Sequence, residues 1–272
     1  MPTRRRWSFA PGALLLLAPC VAPIAAQDGP VLWYRQPAAS WNEALPVGNG
    51  RHGAMVFGRT AHERIQLNVD SLWAGRPEDR DRAGAAQHLA KARELLFAGQ
   101  HREAEQLVQR EFMSERWVRS HQTLGELSLA FPGHERVEDY RRELDLRDGI
   151  ATVRYRLDGT TYTREVFAGG GAVVVHLTSD RPGAITVTAR LARPEHAEVV
   201  RDGDALCMTG RADAGERHEG VRFAAVLLAG VEGVRLREPV EGGPAELCVE
   251  GADAVTWLVT AETDYRRPGR TS

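Results

Sequence analysis

Alternation of apolar and polar residues with a period of two is the feature that most constrains this chain, because it matches the pleat of a β-strand. In the segment HERIQLNVD (62–70), Ile65, Leu67 and Val69 share one face of such a strand. The segments that alternate in the same way are LGELSLAF (124–131), ATVRYRLDG (151–159) and TYTREVFAG (161–169). Asp158–Gly159, between the last two, predicts a tight hairpin turn. Further short segments bounded by Gly, Pro or Asp complete the pattern of an all-β fold, a large antiparallel β-sandwich.

One block breaks this pattern and repeats instead with a helical period. Between residues 84 and 112, Leu89, Ala92 and Leu96 recur at helical spacing, and apolar residues resume this spacing after Gly99. Since glycine favours a break between helices, the block predicts a helical hairpin. We expect this hairpin to be an insertion that packs on the sheets.

The segment GNGRHG (48–53) matches the G-x-G-x-x-G fingerprint of dinucleotide-binding enzymes, and Asp70 stands where a ribose-binding carboxylate would lie. That fingerprint requires a helix after the glycines, because the helix N-terminus holds the phosphates. Here Pro46 precedes the glycines, and AMVFG (54–58), an apolar strand that ends in a turn, follows them. The sequence therefore argues against a nicotinamide or flavin cofactor.

Other catalytic and metal-binding signatures are missing from the sequence. His62–Glu63, His134–Glu135 and His218–Glu219 lack the second histidine that an H-E-x-x-H zinc helix requires. The chain also has no G-x-S-x-G nucleophile elbow and no G-x-x-x-x-G-K-[ST] phosphate loop. We therefore predict no catalytic residue, no metal ligand and no cofactor.

The beginning of the chain has the layout of a secretory signal peptide. Three arginines precede an apolar run that ends in small residues near Ala26, so residues 1–26 are predicted to be removed on export to a secreted or periplasmic location. The arginines also faintly resemble a twin-arginine signal. LAPC (17–20) resembles a lipoprotein box, but Pro19 stands where a small residue is expected, which disfavours lipid anchoring.

Neither a membrane span nor nucleic-acid binding is expected of the mature chain. The apolar run near the N-terminus is too short and too rich in proline to cross a bilayer as a mature helix. The 35 basic residues nearly balance the 37 acidic ones, so no overall field attracts the chain to nucleic acid.

Two cysteines, Cys207 and Cys248, remain after the predicted cleavage, and both lie in segments that alternate like strands. An oxidising compartment permits a disulfide between them, which would close a loop of about 40 residues and contribute roughly 4 kcal/mol. The alternative is a pair of small buried hydrophobic side chains on neighbouring strands. The residues themselves leave both interpretations open.

Aromatic, amide and acidic side chains cluster around the glycine-rich segment and after the next strand. They are Trp41, Asn42, Glu43, Asn49, Asn68, Asp70 and Trp73. Tryptophan offers an apolar face to a pyranose ring, and amides and carboxylates pair with its hydroxyl groups, so these residues are candidate contacts to a sugar substrate. Tryptophans near strand ends also serve in cores and interfaces, so contact with a neighbouring domain is the alternative.

The stretch LWYRQPAASWNEALPVGNGRHGAMVFGRTAHERIQLNVDSLWAGRP (32–77) resembles the N-terminal domain of glycoside hydrolase family 95, the inverting α-L-fucosidases. Other segments that carry the resemblance are LGELSLAFPGH, DYRRELDLRDGIATVRYRLDGTTYTREVFA, VVVHLTSDRPG and ADAVTWLVTAETDYRRP. The resemblance implies a large β-sandwich at residues 27–265. In the family this domain is joined by a linker to an (α/α)6 barrel and a smaller C-terminal β domain, so residues 266–272 would begin that linker.

The sequence departs from the family pattern at two positions and in length. Glu is usual in the family where Val69 stands, and an aliphatic residue is usual where His52 stands. The family's general acid, its general base and the asparagines that position the base lie in the barrel, whereas this sequence reaches Ser272 before any barrel. No residue here matches those catalytic groups, so none is assigned.

The resemblance implies that this domain belongs to an exported enzyme that hydrolyses terminal α-L-fucosyl bonds with inversion. A fucosylated glycan would be the substrate of the full-length enzyme, and the barrel would be the intramolecular partner of the domain. L-Galactose, which differs from L-fucose only at C6, is also open as the sugar. The alternative function is that of a free-standing carbohydrate-binding or scaffold module. By itself the chain is predicted to be inactive.

Overall fold

The structure is a computed structural model that describes residues 29–75, 79, 81–114, 120–212, 220–238 and 242–266. The predicted signal peptide, residues 1–26, lies outside these ranges, as do residues 267–272 of the predicted linker.

Fifteen strands in the described ranges form two antiparallel sheets. They are β1 (Val31–Tyr34), β2 (Leu45–Gly48), β3 (His52–Val56), β4 (His62–Val69), β5 (Gly125–Ala130), β6 (Glu138–Asp145), β7 (Ile150–Leu157), β8 (Thr160–Gly169), β9 (Ala172–Ser179), β10 (Ile185–Ala192), β11 (Ala197–Asp202), β12 (Ala205–Arg211), β13 (Arg222–Glu232), β14 (Leu247–Ala252) and β15 (Ala254–Thr263). The larger sheet has the order β1-β6-β7-β8-β9-β15-β13-β12-β11, and the smaller has the order β14-β10-β5-β4-β3-β2. The predicted antiparallel β-sandwich is confirmed.

Burial along the strands follows the alternation in the sequence. In β4, Ile65, Leu67 and Val69 are buried between the sheets, whereas the residues between them lie on the outer face. The hairpin turn predicted at Asp158–Gly159 joins β7 to β8. These two residues have φ of 49° and 80°, the left-handed values that a two-residue type I′ turn requires.

Side chains from both sheets pack into one apolar core. Trp257 of β15 in the larger sheet and Leu127 of β5 in the smaller sheet are fully buried there. Burial of one such aliphatic side chain stabilises the fold by about 1.5–3 kcal/mol. This burial is the main force that holds the two sheets face to face.

A buried ion pair also joins the two sheets through this core. Arg164 of β8 places its guanidinium 2.5 Å from the carboxylate of Glu63 in β4, and water reaches almost none of either side chain. The second carboxylate oxygen accepts backbone hydrogen bonds from Gly58 and Arg64, at 2.9 and 3.0 Å. Arg164 donates a further bond to the carbonyl of Arg59, at 2.8 Å. Burial raises the pKa of the Glu63 carboxyl, and the guanidinium opposes this rise.

His134, in the loop after β5, is a second buried polar group. Its Nδ1 lies 2.8 Å from the hydroxyl of Tyr155, and its ring packs against that of Phe131. Burial raises the pKa of Tyr155 to about 12, so its hydroxyl stays protonated at neutral pH. Burial lowers the pKa of His134; the carboxylate of Glu135 opposes this shift, and the guanidinium of Arg164 reinforces it.

The predicted helical hairpin is also present. A 3-10 turn (Ala85–His88) leads into α1 (Leu89–Phe97), and α2 (His101–Glu111) follows. Gly99 has a φ of 75°, so it supplies the left-handed residue that ends α1. No helix in the described ranges is long and apolar enough to cross a membrane.

The hairpin packs mainly on itself, which differs from the expectation that it would pack on the sheets. No described strand is among the main packing partners of its helices. Ala92 and Ala104 are its buried residues, whereas Phe97 is almost fully exposed. The helices are short and present small alanines to each other, so their apolar contact is satisfied locally. On α1, Lys91 pairs with Glu94 at 3.0 Å.

Both cysteines of the sandwich carry free thiols. Cys207 lies on β12 of the larger sheet and Cys248 on β14 of the smaller sheet, and both are half-buried. The two cysteines therefore do not occupy neighbouring strands, and that part of the second interpretation is wrong. The alternation placed each cysteine on a strand correctly, but it carries no information on which sheet the strand joins.

We predict that Glu63→Ala lowers the free energy of unfolding by about 3–5 kcal/mol, because it leaves the Arg164 guanidinium buried without its partner. Combining Glu63→Leu with Arg164→Met should cost less, since no charge then remains in the core. Urea denaturation measures both values. Glu126→Ala, which breaks a half-exposed pair with Arg64, is the matched control and should cost at most about 1 kcal/mol. A similarly small cost for Glu63→Ala would contradict this account.

A second prediction concerns acid stability. Because the pKa of His134 is lower in the folded chain than its ordinary value of 6.5, the unfolded chain binds the proton more readily. Stability from this group is therefore complete above pH 6.5 and decreases as the pH falls below that value. In denaturation at pH 7 and pH 5, His134→Gln should lose less stability on acidification than the parent, and exposed His62→Gln should behave as the parent. An unchanged loss in His134→Gln would refute the prediction.

Candidate functional site

A pocket of about 360 Å³ opens on the outer face of the smaller sheet. Its volume lies within the range of about 300–1,000 Å³ that small-molecule sites occupy. The lining comes from β2, β3 and β4, from the 3-10 helix Trp41–Glu43 and from the segment before β5. Its polar side chains are Gln66, Asn68, His121 and Thr123, and the apolar ones include Trp41 and Met55.

Trp41 forms an aromatic wall of this pocket. The side chain is 54% exposed, which is unusual for so large an aromatic group. Its indole N–H donates a hydrogen bond of 2.6 Å to the side-chain oxygen of Gln66. This bond satisfies the polar edge of the ring, so the apolar ring surface is what remains for a ligand.

Gly53 opens the floor of the pocket. It lies on β3, opposite Gly48 on one side and Asn68 on the other. A Cβ placed on Gly53 would meet no atom closer than 3.5 Å, and its backbone does not have a positive φ. Glycine here leaves space for a ligand, whereas Gly50, with φ of 84°, forms the turn of the β2–β3 hairpin. The segment after the glycines is a strand, as predicted.

Trp73 and His121 extend the pocket on the side beyond Asn68. They form an isolated antiparallel bridge, and their rings meet edge to face with centroids 5.3 Å apart. The Nε2 of His121 lies 3.0 Å from the carbonyl oxygen of Val69, and the indole N–H of Trp73 donates to the carbonyl of Asp70 at 3.2 Å. Trp73 is 41% exposed, so a second aromatic surface lies beside the pocket.

The β2–β3 hairpin beside the pocket is shaped by Asn49. Its side-chain oxygen accepts hydrogen bonds from the backbone N–H groups of Arg51 and His52, at 3.0 and 2.8 Å. Arg51 forms an ion pair with Glu262 of β15. The Nε2 of buried His52 lies 2.9 Å from the carbonyl oxygen of Ala261. These contacts join the hairpin to the end of β15 in the opposite sheet.

A buried arginine from the larger sheet holds the 3-10 helix that carries Trp41. Arg142 of β6 donates hydrogen bonds to the carbonyls of Glu43 and Gln36, at 2.7 and 2.8 Å. The carboxylate of Glu43 accepts a bond of 2.8 Å from the N–H of Ala39. Glu43 therefore anchors its own loop through both its backbone and its side chain, and this anchoring positions Trp41.

Five of the seven residues predicted from the sequence are thus gathered around one pocket. Trp41 and Asn68 line it, and Trp73 lies beside it. Glu43 and Asn49 shape the two loops that border it. Their contact with a sugar or with a neighbouring domain stays a prediction.

The remaining two predicted residues are not part of the lining, and sequence reasoning missed most of the residues that are. Asn42 is exposed on the 3-10 helix, and Asp70 is half-buried just after β4. Gln66 shares the polar face of β4 with its neighbours, so the period of two contained a signal for it, as it did for Met55 on β3. His121 reaches the pocket by long-range pairing, for which the sequence contains no local signal.

The described lining of the pocket contains no Asp, Glu, Lys or Arg side chain. Arg64 and Glu126, on the same face of the sheet, bind each other, with Nε and Oε1 2.8 Å apart. Among the described residues, no group of three or more His, Cys, Asp or Glu side chains is arranged to hold a metal ion. The pocket therefore offers apolar surface and neutral hydrogen-bonding groups to a ligand.

We predict that Arg142→Met lowers the free energy of unfolding by about 2–4 kcal/mol, because two carbonyl groups lose a charged donor. Amide hydrogen exchange should accelerate at residues 41–44. Arg141→Met is the matched control, since Arg141 is exposed and contacts Glu143 and the ring of Trp33 at the surface; its effect should stay below about 1 kcal/mol. Equal exchange rates at residues 41–44 in both variants would show that Arg142 does not hold this helix.

Comparisons with known proteins find a glycosyl hydrolase family model and relatives named as fucosidases. Residues 32–268 match the family model described as "Glycosyl hydrolase family 65, N-terminal domain". "Alpha-L-fucosidase 2" of Arabidopsis thaliana is 26% identical over 261 residues, which cover 87% of this chain and 30% of that protein. "Probable alpha-fucosidase A" of Aspergillus oryzae is 31% identical over 162 residues, 53% of this chain and 20% of that protein. The protein of the same name from Aspergillus niger is 30% identical over 166 residues, which cover 57% of this chain and 20% of that protein.

The chain spans less than a third of the length of these relatives. The family match, in contrast, begins inside β1 and continues past β15, so it includes both sheets and the helical hairpin. The names of the relatives agree with the resemblance to the α-L-fucosidases of family 95. The chain therefore belongs to the family of glycosyl hydrolase N-terminal domains described for family 65, and it is similar to part of proteins named as α-fucosidases.

Proposed function

We propose that this chain is the N-terminal domain of an exported α-L-fucosidase that hydrolyses terminal α-L-fucosyl bonds of glycans with inversion. The observation that carries the proposal is the alignment of 87% of the chain with a protein named as an α-L-fucosidase. The signal-peptide pattern of residues 1–26 supports export. L-Galactose, with the same ring configuration, remains an alternative substrate sugar.

Inversion requires two carboxyl groups on opposite faces of the sugar, about 6.5–9.5 Å apart, so that one protonates the leaving oxygen and the other activates water. Glu43 is the acidic residue on the helix that borders the pocket, but its carboxylate accepts a hydrogen bond from the N–H of Ala39 in its own loop. The lining, so far as the structure describes it, contributes no carboxylate. We therefore assign the acid and the base to the barrel domain that the family resemblance implies, and none of the catalytic groups to this domain.

This domain would support the barrel and complete the surface around the substrate. The end of β15 lies beside the candidate site, because Arg51 pairs with Glu262 and the hydroxyl of Ser71 lies 2.7 Å from that of Thr263. The residues after β15 therefore start next to the β2–β3 hairpin and Trp73. A barrel attached there would face the cluster of aromatic and amide side chains that the sequence identified.

A free-standing carbohydrate-binding module is the second candidate function. The neutral, partly aromatic pocket favours it, since this chemistry suits a sugar ring without any catalytic group. The two functions differ in the need for a further domain: the first requires a catalytic barrel attached after β15, and the second requires none.

The test is hydrolysis of an aryl α-L-fucoside and of 2′-fucosyllactose. We expect no turnover by the 272-residue chain, because glycosidases must lower the barrier by more than about 8 kcal/mol, which needs a positioned acid and base. The protein extended through the coding sequence downstream of Ser272 should release L-fucose. Proton NMR of the newly released sugar should show the β-anomer first, as inversion requires.

Two results would contradict this assignment. Turnover by the 272-residue chain that Glu43→Gln or Asp70→Asn abolishes would place the chemistry in this domain. Release of the α-anomer by the extended protein would show retention in place of inversion.

A further inference from the structure

We propose that the pocket formed by Trp41, Met55, Gln66, Asn68 and His121 binds one neutral pyranose unit of a glycan. The inference deepens the proposed function and rests on it for the choice of glycan. It concerns binding by this domain itself, and it can be measured without any hydrolysis.

The shape of the pocket fits a single ring. Its volume of about 360 Å³ is at the lower end of the range for small-molecule sites, about 300–1,000 Å³. The floor is open because Gly53 has no side chain, although its backbone conformation and surroundings would accept one. A valine at this position would project toward Asn68 on the same face of the sheet and fill the space.

The chemistry of the walls fits a sugar more closely than it fits a purely apolar ligand. Trp41 offers its ring surface while its N–H is already bound to Gln66. The amide of Asn68 adds a donor and an acceptor of the kind that sugar hydroxyls require. The hydroxyl of Thr123 already donates to the carbonyl of Leu67, at 3.0 Å, and accepts from the N–H of Gly125, at 3.1 Å. His121 is held by the carbonyl of Val69, so its ring has a fixed orientation.

The absence of charge from the described lining restricts the ligand further. A carboxylate or phosphate on the ligand would be desolvated in the pocket without a cation to pair with it, which is unfavourable. The pocket should therefore select neutral hexose or deoxyhexose units, and an acidic sugar should gain nothing from its charge.

Rigid placement of Trp41 supports binding because little side-chain entropy is lost when a ligand arrives. The 3-10 helix that carries Trp41 is fixed by Arg142, and the indole is fixed by Gln66. The aromatic wall is thus ordered before any sugar binds.

The experiment uses the 272-residue chain labelled with ¹⁵N-tryptophan, whose indole N–H signals report on each tryptophan separately. Titration with 2′-fucosyllactose or with lactose should shift the signal of Trp41 in a saturable manner, and Trp41→Ala assigns that signal. The signal of Trp33, which is 48% exposed on β1 of the other sheet, should not move. No saturable shift of Trp41 with either sugar, up to their solubility limits, would overturn the proposal.

Variants then test the location. Saturation-transfer NMR should show at least about tenfold weaker binding for Trp41→Ala and for Gly53→Val, since a tenfold change corresponds to the loss of one good contact. The matched controls are Trp33→Ala and Gly230→Val; Gly230 lies on an outward position of β13, where a Cβ would meet no atom closer than 3.8 Å. Both controls should bind as the parent does. Circular dichroism confirms that each variant is folded, and full binding by folded Gly53→Val would refute this site.

The ligand class is tested with 3′-sialyllactose. Its carboxylate should add no affinity over lactose, because none of the described residues that line the pocket is a lysine or an arginine. Tighter binding of 3′-sialyllactose than of lactose would contradict a neutral-sugar site. These results are independent of the hydrolysis assay: failure of the extended protein to hydrolyse fucosides would leave them unchanged, and failure of sugar binding here would leave the barrel's activity unchanged.

Discussion

The buried ion pair between Glu63 and Arg164 is the interaction on which the arrangement of the two sheets depends. Apolar burial brings the sheets together, but it is non-directional and tolerates sliding of one face over the other. An ion pair that water cannot reach is satisfied only at one relative position, because a displaced partner would leave a charge buried alone. Glu63 also binds the N–H of Gly58, so the same carboxylate fixes the turn between β3 and β4. Those two strands carry most of the pocket.

Arg142, like the ion pair, fixes the position of an element on the opposite sheet, in this case at the surface. It belongs to the larger sheet, yet it holds the backbone of the 3-10 helix over the smaller sheet. Trp41 is therefore positioned by a residue about 100 positions away in the sequence, and its exposure does not imply mobility. The aromatic wall of the pocket depends on contacts between the sheets, although every residue of the lining lies near the smaller one. We therefore expect a substitution that weakens the contact between the sheets to alter the pocket before it unfolds the individual strands.

The sequence predicted the strands, the helical hairpin and the turn at Asp158–Gly159 because each depends on local periodicity or turn chemistry. It also contained a neglected signal for the ion pair. Glu63 shares the inward face of β4 with Ile65, and Arg164 shares the inward face of β8 with Val166, so each charge stood on an apolar face of its strand. What periodicity could not supply was pairing: it did not reveal that these two charges meet. The contacts of His121 and the separation of the cysteines into different sheets depend on the same long-range pairing.

The single lysine of the chain has a consequence for covalent labelling. Lys91 is the only lysine in the sequence, and its side chain is more than half exposed on α1. All other basic side chains that carry a fixed charge are arginines, which do not react with the common amine reagents under mild conditions. Apart from the terminal amine, an amine-directed cross-linker or fluorophore would therefore attach at one place, on the helical hairpin. Any protein segment that it captures must lie within the length of the cross-linker from Lys91. Such a cross-link would therefore identify the segments that bind near the helical hairpin.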